Sequence, residues 1–245
     1  MAPAETVLTR KLHKGGVARS PLADIDLILE NLARGLEDRM RPLLKTMVTA
    51  ETAPLRVCRL ADATKSVAAP ALLGLVEVED SETPALIAAR AELAWHLTDL
   101  TLGGDPAAAS EPVSRPLSAI DMALLRLHLD VILAAFVAAI GVGMGRPITK
   151  RIGIRDQRQN IAQLRLAPDY IDVLVFDVTL LLGDAGRRGE FSVILPLSAL
   201  DVIRASVQQH NAKAARDRPD DLWKTLMRRA AAAATVPVEA VLHRQ

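Results

Sequence analysis

The chain has 245 residues; half are hydrophobic, but aromatics are limited to three Phe, two Trp and one Tyr, so any core is aliphatic. Thirty Lys and Arg stand against 29 Asp and Glu for a formal charge of +1, and no aromatics interleave with Arg, which argues against a nucleic-acid role. Cys58 is the single cysteine, so neither an internal disulfide nor a thiolate metal cluster is available.

Residues 1–20 are polar, with Arg10, Lys11, His13, Lys14 and Arg19 crowded around Gly15-Gly16. Two readings stand: a solvated tail, or a docking peptide in which Val7, Leu8 and Leu12 form an apolar stripe, beside Arg10 and Lys11, on becoming helical. The start Met-Ala-Pro-Ala-Glu lacks the basic-then-apolar layout of a signal peptide. Ser20-Pro21 predicts a helix start, Ser as N-cap and Pro at the first helical position. From there Leu22, Ile25, Leu29, Leu32, Leu36, Met40, Leu43 and Met47 follow a helical spacing on one face, with Pro42 tightening the last turn.

Leu55 and Val57 to Leu60 read as a first strand, followed by a hairpin of residues 72–79 and 85–89 around Asp80-Ser81-Glu82-Thr83-Pro84. Residues 91–102 read as a helix with Leu93, Leu97 and Leu100 inward, and with Trp95 and His96 on its flank. It is expected to exit left-handed at Gly103-Gly104. A linker rich in Ala, Ser and Pro runs from Asp105 to Pro116 and is expected to leave the segment after the helix free to shift. Ser118-x-x-Asp121 is then a capping box, with Leu117 and Met122 placed as a staple, opening a helix to about Ile140 that is apolar on most sides. Gly141-x-Gly143-x-Gly145 follows a helix rather than a strand and lacks the dinucleotide spacing, so it reads as a flexible helix exit.

Residues 148–154, 171–182 and 190–195 read as strands, the last two joined by residues 183–188, and 198–208 as the exit helix. A further helix is expected over 220–234 and an apolar strand over 236–242, which would leave an unpaired strand at the chain end unless another element follows. Residues 22–104 and 117–209 thus repeat one order: helix, strand, hairpin, helix. The predicted fold class is α+β, a pseudo-two-fold duplicated unit with an antiparallel-rich sheet and two long helices packed on it.

Chemistry is sparse. The five His residues are scattered, no pair stands at metal-ligand spacing, and no nucleophile elbow or phosphate loop occurs. Asp24 with Asp26 and Glu77 with Glu79 lie in solvated contexts. No catalytic residue, metal site or cofactor is expected. The longest uncharged run, Val131 to Gly145, is shorter than the ~20 apolar residues of a membrane span. A soluble cytoplasmic protein is the plain reading.

Several stretches, in order, resemble the bacterial flagellar motor switch family FliM, in its middle, CheC-like domain. They are Leu29-Glu30-Asn31-Leu32-Ala33-Arg34, Ala71-Leu72-Leu73-Gly74-Leu75, Leu93 to Asp99 with Leu102-Gly103-Gly104, Ser118-Ala119-Ile120-Asp121, Ala167-Pro168-Asp169, and Leu195-Pro196-Leu197-Ser198-Ala199-Leu200. The resemblance implies a ring component at the cytoplasmic face of the inner membrane, in the flagellar basal body. There it would bind the rotor protein FliG, the FliN layer and neighbouring copies of itself, and couple phosphorylated CheY to rotation direction. It implies that Gly103, Gly104, Asp105 and Pro106 form the FliG-binding loop, although Pro106 stands where the family pattern has a further Gly. The basic segment around Val7–Leu12 departs from the acidic, apolar CheY-docking peptide of the family, and residues 211–245 would begin a FliN-like domain.

Two alternatives accompany this reading. One is a ring component of a type III secretion apparatus. The other is a CheC-type phosphatase, which resembles the same duplicated fold and needs an acid with an Asn three residues on in each long helix; here Glu30 is followed by Ala33, and the second long helix lacks Asn.

Overall fold

The computed structural model describes residues 22, 24–65, 67, 69–108, 115–216 and 227. Residues up to Val207 make one compact unit, and those from Gln208 onward a second.

In chain order the elements run α1 (Ile25–Leu44), β1 (Val48–Thr52), β2 (Arg56–Arg59), α2 (Leu60–Lys65), β3 (Ala71–Val78), β4 (Ala85–Arg90) and α3 (Ala91–Thr101). The order then repeats as α4 (Ala119–Gly143), β5 (Ile152–Arg158), β6 (Asp172–Leu182), β7 (Arg187–Pro196) and α5 (Leu197–Arg216), with a 3₁₀ turn at Ile161–Gln163. The strands form a seven-stranded sheet in the order β1-β6-β7-β4-β3-β5, and β2 pairs with the other end of β6. All pairings are antiparallel.

The duplication read from the sequence is present, and its halves are interlocked. Hairpins β3–β4 and β6–β7 meet at the β4–β7 pair, with Leu86 opposite Ile194 and Ala89 opposite Phe191. Each half sends its opening strand to the other half's hairpin: β1 and β2 pair with β6, and β5 pairs with β3. Neither half completes its sheet alone, which makes the duplication one domain.

Alternation along the strands sets the two faces of the sheet. Leu174, Phe176, Val178, Leu180 and Leu182 of β6 and Phe191, Val193 and Leu195 of β7 face the long helices and join the main core. The opposite face holds a smaller cluster with Leu73, Leu86, Val173, Val175 and Ile194, against which Leu164, Leu166 and Ile171 of the loop before β6 pack. α2, the short helix after β2, contributes Leu60 and Ala63 to that cluster; it falls where the sequence suggests the end of a strand. β1 is an element the sequence does not signal, because Val-Thr-Ala-Glu-Thr carries few apolar residues; its pattern is Val48 and Ala50 in, Thr49 and Glu51 out.

α1 is amphipathic as predicted, but its buried stripe is Ile28, Leu32, Leu36, Met40 and Leu44. Ile25 and Leu29 are half buried, and Met47 lies beyond the helix and is 58% exposed. Burial of those five side chains, at about 1.5–3 kcal/mol each as an upper bound, fixes α1 on the sheet and on α4. The helix closes at Lys45, left-handed at φ 53°, one turn after Pro42. Ser20 and Pro21 lie outside the described residues.

α4 carries the predicted capping box: the Ser118 hydroxyl accepts from the Asp121 amide, and the Asp121 carboxylate accepts from the Ser118 amide at 2.7 Å. By length and composition α4 could cross a membrane, and half of its most apolar stretch is buried in the core. Phe136 meets Phe176 of β6 edge-on at 5.0 Å between ring centroids. Two of the three glycines at its end, Gly141 and Gly143, are packing residues rather than the flexible exit expected from sequence, whereas Gly145, left-handed at φ 72° with nothing within 4 Å of its missing Cβ, stands just past the helix end. The helix continues through Gly143, where a Cβ would collide with Ile28 of α1, and at Gly141 a Cβ would sit 3.0 Å from the Arg146 carbonyl. β5 begins at Ile152 rather than Ile148, and a bulge at Arg155 breaks its register opposite Leu75 and Val76. The expected helix over 220–234 and strand over 236–242 lie outside the described residues, apart from Met227, which is helical.

Candidate functional site

The most distinctive surface lies where α3 ends. The Gly104 amide bonds the Asp99 carbonyl at 2.9 Å, and the Gly103 amide bonds the Leu100 carbonyl at 3.2 Å. With Gly103 at φ 95°, these two bonds make a Schellman cap, the left-handed exit foreseen in the sequence. The cap throws Leu102 outward, 70% exposed. An exposed leucine at a helix end costs nothing large, yet it is the most exposed apolar side chain of α3 and its exit.

Beyond the cap the chain turns on Asp105. Its carboxylate accepts from the Ala107 amide at 2.9 Å and its carbonyl from the Ala108 amide at 3.1 Å. The β6–β7 turn then packs against the loop: the Ala185 amide donates to the Pro106 carbonyl at 3.2 Å. Gly183, at φ 71°, has no room for a side chain, since a Cβ would stand 2.5 Å from that same carbonyl. The Gly183 amide in turn donates to the Met47 carbonyl at 2.9 Å. Residues 102–106, 183–186 and Met47 thus form one continuous surface with Leu102 and Met47 projecting from it.

Arg187, the first residue of β7, fastens this surface from beneath. Its side chain is 4% exposed and donates from Nη1 to the Asp99 carboxylate at 2.6 Å, from Nη2 to the Asp105 carbonyl at 2.7 Å and from Nε to the Ala108 carbonyl at 3.0 Å. A planar guanidinium suits this task, since its donors leave in fixed, diverging directions. Sequence reasoning alone does not single out Arg187, Asp99, Gly183 or Met47. For Arg187 a signal exists: it is in phase with Gly189, Phe191, Val193 and Leu195, the inward parity of β7, whereas Arg188 is out of phase.

The far end of the linker is also held. The Arg115 guanidinium stacks 4.1 Å from the centroid of the Trp95 ring and donates to the Asp121 carboxylate at 2.8 Å. Burial disfavours the Asp121 carboxylate, but bonds from Arg115 and Ser118 outweigh it and hold its pKa below the usual value. Trp95 and His96, expected on the flank of α3, are buried, at 8% and 6% exposure. For His96 burial itself lowers the pKa.

The remaining polar candidates stand apart from one another. Glu30 is exposed and salt-bridged to Arg34 at 2.6 Å, with Ala33 one turn on, so no acid–amide pair is assembled there. His128 is fully buried between α4 and α3, and burial pushes its pKa down to about 4. Among the described residues no group of His, Cys, Asp and Glu side chains could hold a metal ion. The N-terminal candidates Val7, Leu8, Arg10, Lys11 and Leu12 lie outside the described residues.

Residues 18–212 match the family described as flagellar motor switch protein FliM. The chain belongs to the FliM family. It is therefore a flagellar motor switch component with a FliM middle domain, and the fold repeats that of solved FliM structures. The FliM middle domain of Vibrio alginolyticus, 18% identical, aligns over 74% of this chain and 98% of its own with a TM-score of 0.61. A FliM–SpeE complex from H. pylori gives 14% identity, 80% and 98% coverage and a TM-score of 0.63. A FliG–FliM complex from H. pylori gives 13% identity, 82% and 100% coverage and a TM-score of 0.61. No curated protein matches the sequence. At these identities the likeness carries the fold alone.

Proposed function

We propose that this chain is a scaffold of the flagellar switch ring that binds the rotor protein FliG through the loop Gly103, Gly104, Asp105 and Pro106, with Leu102 as its apolar anchor. It would pack against copies of itself and the FliN layer, couple phosphorylated CheY to the direction of rotation, and sit at the cytoplasmic face of the inner membrane in the basal body. The observation carrying the FliG assignment is the loop's construction: an exposed leucine on a capped helix end, held by hydrogen bonds from β7 and the β6–β7 turn. A shaped, pre-ordered surface loses little entropy on binding, and a buried apolar anchor is the usual energetic centre of such a contact. That a FliM of the same fold has been crystallised with FliG supports this choice of partner.

Lateral packing has its own support in α4. Ile120, Ala123, Leu127, Ala134, Ala138 and Val142 make an exposed apolar stripe along it, interrupted by Asp130. A scaffold reading also accounts for polar groups engaged in structural pairs rather than converging on a cleft.

The test is co-purification of FliG with the full chain carrying Leu102→Glu. The side chain is 70% exposed, so the fold should be unchanged, and FliG recovery should fall at least tenfold. Undiminished recovery would reject the loop as the FliG contact.

A further inference from the structure

The candidate loop belongs to the first half of the chain, yet the group that shapes it belongs to the second. Its tip makes its own cap and turn, but the described contacts joining residues 105–108 to the rest of the fold come from Arg187 and the β6–β7 turn. Arg187 is the stronger of the two, being charged, buried and bonded to three separate points: the last turn of α3 at Asp99, and the carbonyls of Asp105 and Ala108.

We propose that Arg187 is a positioning residue for the loop: its guanidinium clamps the segment after Gly104 onto the start of β7, so that the β6–β7 hairpin sets the shape a partner meets. This rests on the proposed reading that the loop is the FliG contact. The clamp is asymmetric in a useful way. Asp99 is half exposed and the loop carbonyls lie near the surface, so water can satisfy all three acceptors once the arginine is gone. Removing Arg187 therefore releases the loop rather than leaving the core with unpaired groups. Gly104 belongs to the same device, because a Cβ there would strike the Asp99 carboxylate and push it from the guanidinium. A movement of the β6–β7 hairpin against α3 would be passed to the loop through these bonds.

Affinity falls in proportion to the fraction of molecules holding the competent shape. If the released loop holds it about one tenth of the time, the FliG dissociation constant rises about tenfold. Lysine separates charge from geometry: one ammonium can pair with Asp99, but it cannot also reach the carbonyls of Asp105 and Ala108.

The experiment uses the full chain with Arg187→Met, Arg187→Lys and Leu102→Glu, and measures two things: FliG affinity, and amide hydrogen exchange of residues 103–108 against β6 without any partner. Arg187→Met should exchange about tenfold faster in the loop with β6 unchanged and bind FliG about tenfold more weakly; Arg187→Lys should lose about threefold in both. Wild-type loop exchange in Arg187→Met overturns the clamp. Should that variant fail to fold, Arg187→Lys decides, and wild-type exchange and affinity there overturn the proposal equally. Unaltered FliG binding by Leu102→Glu, with faster loop exchange in the arginine variants, would instead sink the FliG assignment and leave the clamp standing.

Discussion

His128 shows how much a single buried side chain can impose. The Thr101 hydroxyl donates its one proton to the Leu97 carbonyl at 2.6 Å, so at 2.8 Å it must accept from His128 Nε2–H. The imidazole is thereby fixed as the neutral Nε2–H tautomer, with Nδ1 buried and unpartnered. Protonation would place a second N–H in apolar surroundings, and desolvation holds the pKa near 4 against an ordinary value of 6.5. A depressed pKa stabilises the folded state above the unfolded value and withdraws that stability as pH falls toward the folded one. The His128 contribution to the unfolding free energy should drop by about 3 kcal/mol between pH 6.5 and pH 4. His96, whose pKa burial also lowers, adds to the same slope, and His128→Asn should remove the His128 share. Urea titrations across this window measure it; equal slopes in both proteins would show that His128 is not the group responsible. Asp121 adds acid sensitivity of the same sign, but only below its ordinary value of 3.8.

Among the elements, α4 has two distinct jobs. Its inner side, with Leu125, Leu129, Ile132 and Phe136, is core, and its last turn meets α1 so closely that Gly143 has no room for a Cβ beside Ile28. Its outer side is the exposed apolar stripe. Replacing Leu127, 50% exposed, by Glu should leave the melting temperature within about 2 °C while abolishing assembly of copies seen by light scattering. Assembly at wild-type concentration would remove the stripe from the ring interface. The helices, the hairpins and the Schellman exit are legible in the sequence because periodicity, capping residues and glycine act locally. β1 and α2 are not: a five-residue edge strand of Val, Thr, Ala and Glu exists only because β6 offers it a partner. Gly143 misleads for the same reason. A glycine that admits a neighbouring helix and one that loosens a chain look alike until the neighbour, Ile28, is in place.

At the scale of the molecule, the exchange of opening strands between halves decides how the candidate site is built. Because β1 crosses to β6, Met47 is brought to Gly183 and, through Pro106, to the end of α3. Three segments far apart in sequence meet in one surface, and no single stretch of sequence announces it. The loop residues 103–106 can be proposed from the family resemblance. Their supports cannot, since Arg187, Gly183 and Met47 acquire meaning only from the sheet order. The linker after the loop, expected to give it freedom, is fixed at both described ends, by Arg187 near Ala108 and by Trp95 and Asp121 at Arg115. The site is therefore a shaped surface built on the turn of the β6–β7 hairpin.

The central claim is that this composite surface receives FliG. Its most direct test is amide hydrogen exchange of the full chain with and without saturating FliG. Protection should be gained at residues 102–108 together with residues 45–47 and 183–186. Protection gained elsewhere, with those three segments exchanging as in the free protein, would contradict it.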